Sequence, residues 1–376
     1  STPDDYYTHH YFGQWSDVYD KTRSLAVRNT VGVALREGFN KWAQMGITLF
    51  GTHELRNYRM PDWTAERDTV GNRKYVENDI SVGGELARTQ GKLIHYNATG
   101  EVWLVGQKSG DFSVDGNIDL DVRLGRRDSL ALNVHAYAKH RTPDFYFRHY
   151  HSQSAWWDNS LGRELRTRVD GTLRLRKLGT RLSVGFENIV NYTYFGMRNT
   201  LKDSANVGSV IPVDYTRAVS VRQAGGSVRV FSATLAQDLR FGPVHWDSEV
   251  TYQKSSDQVS LPLPDVTLYT NVYLLFRIAK VLRVQLGGDL RYFTSYYAPD
   301  YSTSVGQFAV QDDHSPRVEI GNYPIVNAYV NLHLKHCRLY VAMNHVNQGS
   351  GHAFWAPHYP INPRTFHFGL SWNFFN

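Results

Sequence analysis

The sequence has no apolar run of about 18 residues, so no helix is expected to cross a membrane. It has one cysteine, Cys337, which excludes an internal disulfide framework and any cysteine-based metal cluster. Charge is scarce at 20%, and the formal net charge of +6 is modest for 376 residues. The basic residues gather into no tail, so nucleic acid is not an expected partner. No basic segment with an apolar core opens the chain, and Ser1 therefore reads as a mature or processed start. A G-x-S-x-G elbow, a phosphate loop, a dinucleotide fingerprint and an HExxH helix are all missing. The chain is therefore expected to be no enzyme and to need no cofactor.

Aromatic residues are plentiful, at 14%, with 24 Tyr and 9 Trp. Rings with a polar tip suit the boundary between membrane and water. The end of the chain, TFHFGLSWNFFN, divides by alternation into Phe366, Phe368, Leu370, Trp372 and Phe374 on one face and His367, Gly369, Ser371 and Asn373 on the other. The same period of two recurs upstream. Leu25, Val27, Asn29, Val31, Val33 and Leu35 alternate with Arg28, Thr30, Gly32, Ala34 and Arg36. Phe112, Val114, Ile118, Leu120 and Val122 alternate with Ser113, Asp115, Asn117, Asp119 and Asp121. These runs are about twice the usual strand of a soluble sandwich or propeller, and about 10 tilted residues suffice to cross a membrane.

Tight turns, such as Gly242-Pro243, Ala279-Lys280 and Lys335-His336-Cys337, alternate with longer loops around residues 59–76, 143–162, 195–226, 255–264, 295–321 and 348–363. A transmembrane up-and-down β-barrel has this rhythm, with short periplasmic turns and long extracellular loops. No linker or compositional break divides the chain, so residues 1–376 read as a single barrel domain, with residues 1–23 a strand or segment of uncertain placement. Counting gives about fifteen strands after residue 23; with Tyr6–Trp15 as an upward partner, the expectation is about 16, with about 14 the alternative.

The polar faces carry charge. Asp115, Asp119 and Asp121 lie on one strand and Arg166, Arg168, Arg174 and Arg176 on another, with His135 and Lys139 between. One reading makes them opposed walls whose field selects solutes in a pore. The other makes them a lattice of cross-strand pairs. The apolar face of the terminal strand, Phe366 to Phe374, is assigned to lipid. In the long loops, His9, His10, His149, His151, His352 and His358 are metal-ligand types without a ligand spacing, so exposed loop histidines and no metal are expected. Trp156, Trp157 and Trp355 fit carbohydrate binding, partner binding or interface anchoring equally.

Two stretches, EGFNKWAQMGITLFGTHELRNYRM and HYPINPRTFHFGLSWNFFN, resemble the "Putative porin" family of Bacteroidota outer membranes. The second is also similar to the last strand of TonB-dependent transporter barrels. The resemblance implies a bacterial outer-membrane, multi-pass barrel with Phe374 and Phe375 matching the terminal aromatic signal read by barrel-assembly machinery. Function is then expected to be passive diffusion of small hydrophilic solutes through a charged lumen. The alternative is a non-conducting barrel that anchors or completes a larger outer-membrane complex. Expected partners are lipid and lipopolysaccharide, the assembly machinery during insertion, and further copies or other outer-membrane proteins.

Overall fold

The computed structural model describes residues 20–38, 45–62, 71–91, 93–123, 129–152, 154–201, 215–314, 316–351 and 353–374. The alternating runs form one antiparallel sheet of 15 strands, each hydrogen-bonded to its neighbour in sequence. The strands are β1 (Arg23–Leu35), β2 (Gly46–Asp62), β3 (Gly71–Arg88), β4 (Ile94–Val105) and β5 (Phe112–Arg123). They continue as β6 (Ser129–Arg141), β7 (Glu164–Leu175), β8 (Thr180–Val190), β9 (Ser227–Phe241) and β10 (Val244–Ser255). The last five are β11 (Val266–Ile278), β12 (Leu282–Phe293), β13 (Ile325–Leu334), β14 (Cys337–Asn344) and β15 (Thr365–Trp372). Strands of about 12 residues, rising about 3.3 Å per residue and tilted by about 45°, climb roughly 28 Å, which matches an apolar band about 25 Å tall.

Burial is inverted relative to a soluble protein. Val31 and Phe368 are 78% and 73% exposed, whereas Asp79 and Ser81 are 1% and 2% exposed. Most apolar positions share one face and most charged positions the other; Arg59 of β2 and Lys74 of β3 fall on the apolar face at the long-loop end. On the polar face, side chains reach past a neighbouring strand: Tyr137 Oη of β6 donates to Glu187 Oε1 of β8 at 2.9 Å, and Tyr329 Oη of β13 donates to Asn271 Oδ1 of β11 at 2.8 Å. Curvature toward this face brings such next-but-one strands within reach.

The sheet ends on β1 and β15, each paired on one side only among the described residues. With an odd number of antiparallel strands, these two edges run in the same direction. The sixteenth strand expected at Tyr6–Trp15 lies outside the described residues. The connections alternate as the sequence predicts, short at one end of the sheet and long at the other. Residues 106–111 are the exception, and the register explains them. Val105 at the top of β4 pairs Ile80 of β3, so β3 rises above the short β4–β5 hairpin with its outer edge unpaired, while β1 flanks β2 as far as Arg59.

The paired glycines mark close approaches. A Cβ on Gly83 would collide with the ring of Phe50, and one on Gly287 with Tyr273 across the strand pair. Overpacking of this kind costs about 1–3 kcal/mol. Gly83→Leu and Gly287→Val should therefore lower the temperature at which the detergent-folded protein loses its heat-modifiable gel migration. Gly100→Ala, with nothing within 4 Å of the added atom, should leave that temperature unchanged.

Candidate functional site

The polar face of β5 to β8 holds the charged residues singled out by the sequence. Asp115 of β5 contacts Lys139 Nζ at 3.1 Å and His135 Nε2 at 3.2 Å, both on β6. Arg168 of β7 donates from Nε to Asp170 Oδ1 at 2.8 Å and sits 3.6 Å from Glu187 of β8. Arg166 pairs with Glu164 and lies 3.9 Å from Glu187. Asp119 accepts from the amides of Asn133 at 2.7 Å and Asn117 at 2.8 Å. Asp121 and Arg174 face a niche of about 290 Å³ beside Asp119. Arg174 and Arg176 border a second niche of about 450 Å³ with Arg181, Asp238 and Glu249.

The acidic and basic strands are therefore not opposed walls. Only β6 lies between β5 and β7; its His135 touches Asp115 on one side and Asp170 on the other, its Lys139 pairs with Asp115, and the strands share one lattice. Strand order decides this, because residues far apart in sequence can be next-but-one neighbours when the turns are short. The lattice neutralises Asp115, Arg166 and Arg168. Among the described residues, Asp121, Arg174 and Arg176 form no ion pair, and they lie at the short-turn end of the sheet.

The aromatic loop between β6 and β7 folds over the polar face of the raised β2–β3 ribbon, a contact that periodicity could not reveal. One helical turn, Phe145–Arg148, leads into a short hairpin of His149–His151 with Trp156–Asp158. Phe145 stacks on Tyr58 of β2 with ring centroids 3.7 Å apart. Arg148, buried, pairs with buried Glu77 of β3, which also meets Arg56 at 3.5 Å. Asp158 gathers three groups: His149 Nδ1 at 2.6 Å, Tyr75 Oη at 2.9 Å and His151 Nε2 at 3.0 Å. The β4–β5 hairpin adds Lys108, whose backbone N–H donates to Asp79 Oδ1 at 3.0 Å and whose Nζ lies 3.4 Å from Glu54. A density of ring residues flanking Arg148 was the one sequence signal for this docking.

The other candidates are dispersed. His358 meets Asp300 at 3.1 Å, well separated in its contacts from His149 and His151, while His9, His10 and His352 lie outside the described residues. Trp157 is buried and Trp156 stacks on His151 at 3.8 Å, whereas Trp355 is exposed. A cluster of Asp312, Asp313 and His314 in the β12–β13 connection has ligand atoms close together, with Asp312 held by Arg222 at 2.8 Å. Phe366, Phe368, Leu370, Trp372 and Phe374 are all exposed on the apolar side of the sheet end; Phe375 lies outside the described residues.

Burial pushes the His151 imidazole below its ordinary value, outweighing the upward pull of Asp158. Asp158, despite the upward push of burial, is held low by bonds from His149, Tyr75 and His151. The docked loop thus binds fewer protons than a released one once the pH falls below the ordinary histidine value of about 6.5, and docking weakens on acidification. Protease nicking of residues 142–163 in the detergent-folded protein should be faster near pH 5 than near pH 7.5. Equal rates would remove His151 as the sensitive group. Arg148→Ala leaves buried Glu77 with only the longer Arg56 contact, at a cost below the roughly 3–5 kcal/mol of a fully broken buried pair, and should speed nicking at both values.

A family model described as "Putative porin" matches residues 1–376. No curated protein sequence matches the chain. Among solved structures, the siderophore receptor PirA from Acinetobacter baumannii aligns with a TM-score of 0.58 at 12% identity, covering 94% of this chain and 55% of the receptor. The ferric enterobactin receptor PfeA from Pseudomonas aeruginosa aligns with a TM-score of 0.59 at 13% identity, covering 93% of this chain and 54% of the receptor. The chain thus spans about half the length of these receptors, and the likeness is one of fold. The inverted sheet, its alternating turns and loops, and the match over residues 1–376 agree: the chain is an outer-membrane β-barrel protein and belongs to the family described as "Putative porin".

Proposed function

We propose that the protein is a passive diffusion channel for small hydrophilic solutes, its path bounded by the polar face of the sheet and narrowed by the β6–β7 loop. The inversion of burial carries this reading. A fully exposed Leu or Phe forgoes about 1.5–3 kcal/mol in water, so a face of such residues calls for lipid against it. Arg or Lys at the membrane midplane would cost about 2–4 kcal/mol, so the charged face calls for water. The terminal residues Phe366 to Phe374 then contact lipid. The solved structures named for siderophores support the wall of this channel, and at 12–13% identity they carry no cargo over to it.

The docked loop favours a narrowed rather than a wide path. Phe145, Arg148 and the Asp158 cluster occupy the polar face of β2 and β3 at the long-loop end, the position of an eyelet. A non-conducting barrel serving a larger complex is the second reading, favoured by the one-sided pairing of β1 and β15 among the described residues.

Purified protein in a planar bilayer should give discrete conductance steps, and proteoliposomes should swell in neutral sugar. Arg148→Ala should raise the step size by loosening the eyelet. Heat-modifiable protein that neither conducts nor swells would sink the channel reading in favour of the second.

A further inference from the structure

A line of three arginines and one histidine crosses the short-turn end of the last strands, and the ion-paired lattice does not extend to it. Register places Arg277 of β11 opposite Arg283 of β12, Arg283 opposite His333 of β13, and His333 opposite Arg338 of β14. All four share the polar face with Asn271, Gln285 and Asn331, two or more positions along the same strands. Like charges directly opposite each other on a sheet are destabilising, and neighbouring strands stand only about 4.8 Å apart. At Arg56, Arg166, Arg168 and Arg181 the wall offsets such charge with carboxylates. Here, among the described residues, Arg277, Arg283 and Arg338 form no ion pair.

The stretches of β11 to β14 that carry them provide no carboxylate beside them. No Asp or Glu occurs between Asp265 and Asp289, and none follows Glu319. The adjoining turns add Lys280 and Lys335, again without an acid. Arg283, His333 and Arg338, with Gln285, Asn331 and Ser371, line a cavity of about 510 Å³ that opens on the polar face. A volume of that order takes a small organic solute. Guanidinium groups present fixed forks of N–H donors that match carboxylate and phosphate oxygens two at a time.

We infer that this line is an oxyanion station at the short-turn mouth of the path, binding small carboxylate- or phosphate-bearing solutes and biasing transport toward anions. The inference rests on the channel reading for the water that brings the solute there. An oxyanion bridging Arg283 and Arg338 would replace like-charge repulsion with charge-assisted hydrogen bonds. Rows of Arg or Lys in pores select anions by the same physics.

The test uses the whole chain, folded in detergent, as wild type and as the Arg283→Gln, Arg338→Gln double variant, with heat-modifiable migration confirming that both fold. Under a KCl gradient, the wild-type reversal potential should lie on the anion side. Inorganic phosphate should reduce the chloride current, and the double variant should lose both effects. Swelling in neutral sugar, which reads the path alone, should be the same for both proteins. Wild type that swells in sugar but shows no anion preference, or a variant that keeps it, overturns the station and leaves the channel standing. If neither protein swells or conducts, calorimetric titration with inorganic phosphate decides. Binding lost in the variant upholds the station without the channel, and no binding to wild type overturns it.

Discussion

A backbone in hydrocarbon has no water to satisfy its N–H and C=O groups, so every one must find a partner within the protein. A chain with no long apolar helix can meet that demand only through strands joined side to side. The 15-stranded sheet is the result, and its strand length follows from the thickness to be crossed. Antiparallel order follows too, since tight turns such as Gly242-Pro243 and Ala279-Lys280 leave no room for a crossover. Side chains then alternate between two solvents, which is why Val31 and Phe368 are exposed while Glu77 and Asp79 are buried.

Once the polar face is enclosed, charge has to be arranged on it. In the middle of the wall, acids and bases answer one another across neighbouring strands, as Asp115 does with Lys139 and Arg168 with Asp170 and Glu187. Such pairs contribute little net stability where water reaches them, but they cancel the field that either partner would project alone. Their effect is to brace the wall and leave its middle electrically quiet. Charges without an ion pair gather at the short-turn end of the polar face on β5 and β7 and again from β11 to β14. Charge that acts on a solute is more readily sought there than in the paired lattice.

The long-loop end is governed by packing instead. Because β4 and β5 stop short, the upper part of β3 has no strand on its outer edge among the described residues, and the aromatic β6–β7 loop packs on the polar face of β2 and β3 there. Tyr58 against Phe145, Glu77 against Arg148 and Asp158 against two histidines and Tyr75 are contacts between segments 70 or more residues apart or within the loop itself. The same region brings buried ionisable groups together at the place where a path would be narrowest.

Period-two alternation made many strands legible, such as Arg23–Leu35 and Thr365–Trp372, because their two faces meet chemically opposite surroundings. By contrast, β2 and β3 run to Asp62 and from Gly71, into the loop expected around residues 59–76. The sidedness of the turns was equally plain, since a tight turn needs few residue types and a loop tolerates many. The polar-face charges of several strands could also be read, among them Asp115 and Arg166. What the sequence could not say was which of those residues meet. Pairing depends on strand order and register, and on which loop drops onto which ribbon, and these are long-range matters that local pattern does not encode. Tertiary structure therefore decided that Asp115 and Arg168 belong to one lattice rather than two walls, that Arg148 reaches Glu77, and that Arg277, Arg283, His333 and Arg338 stand in one uncompensated line.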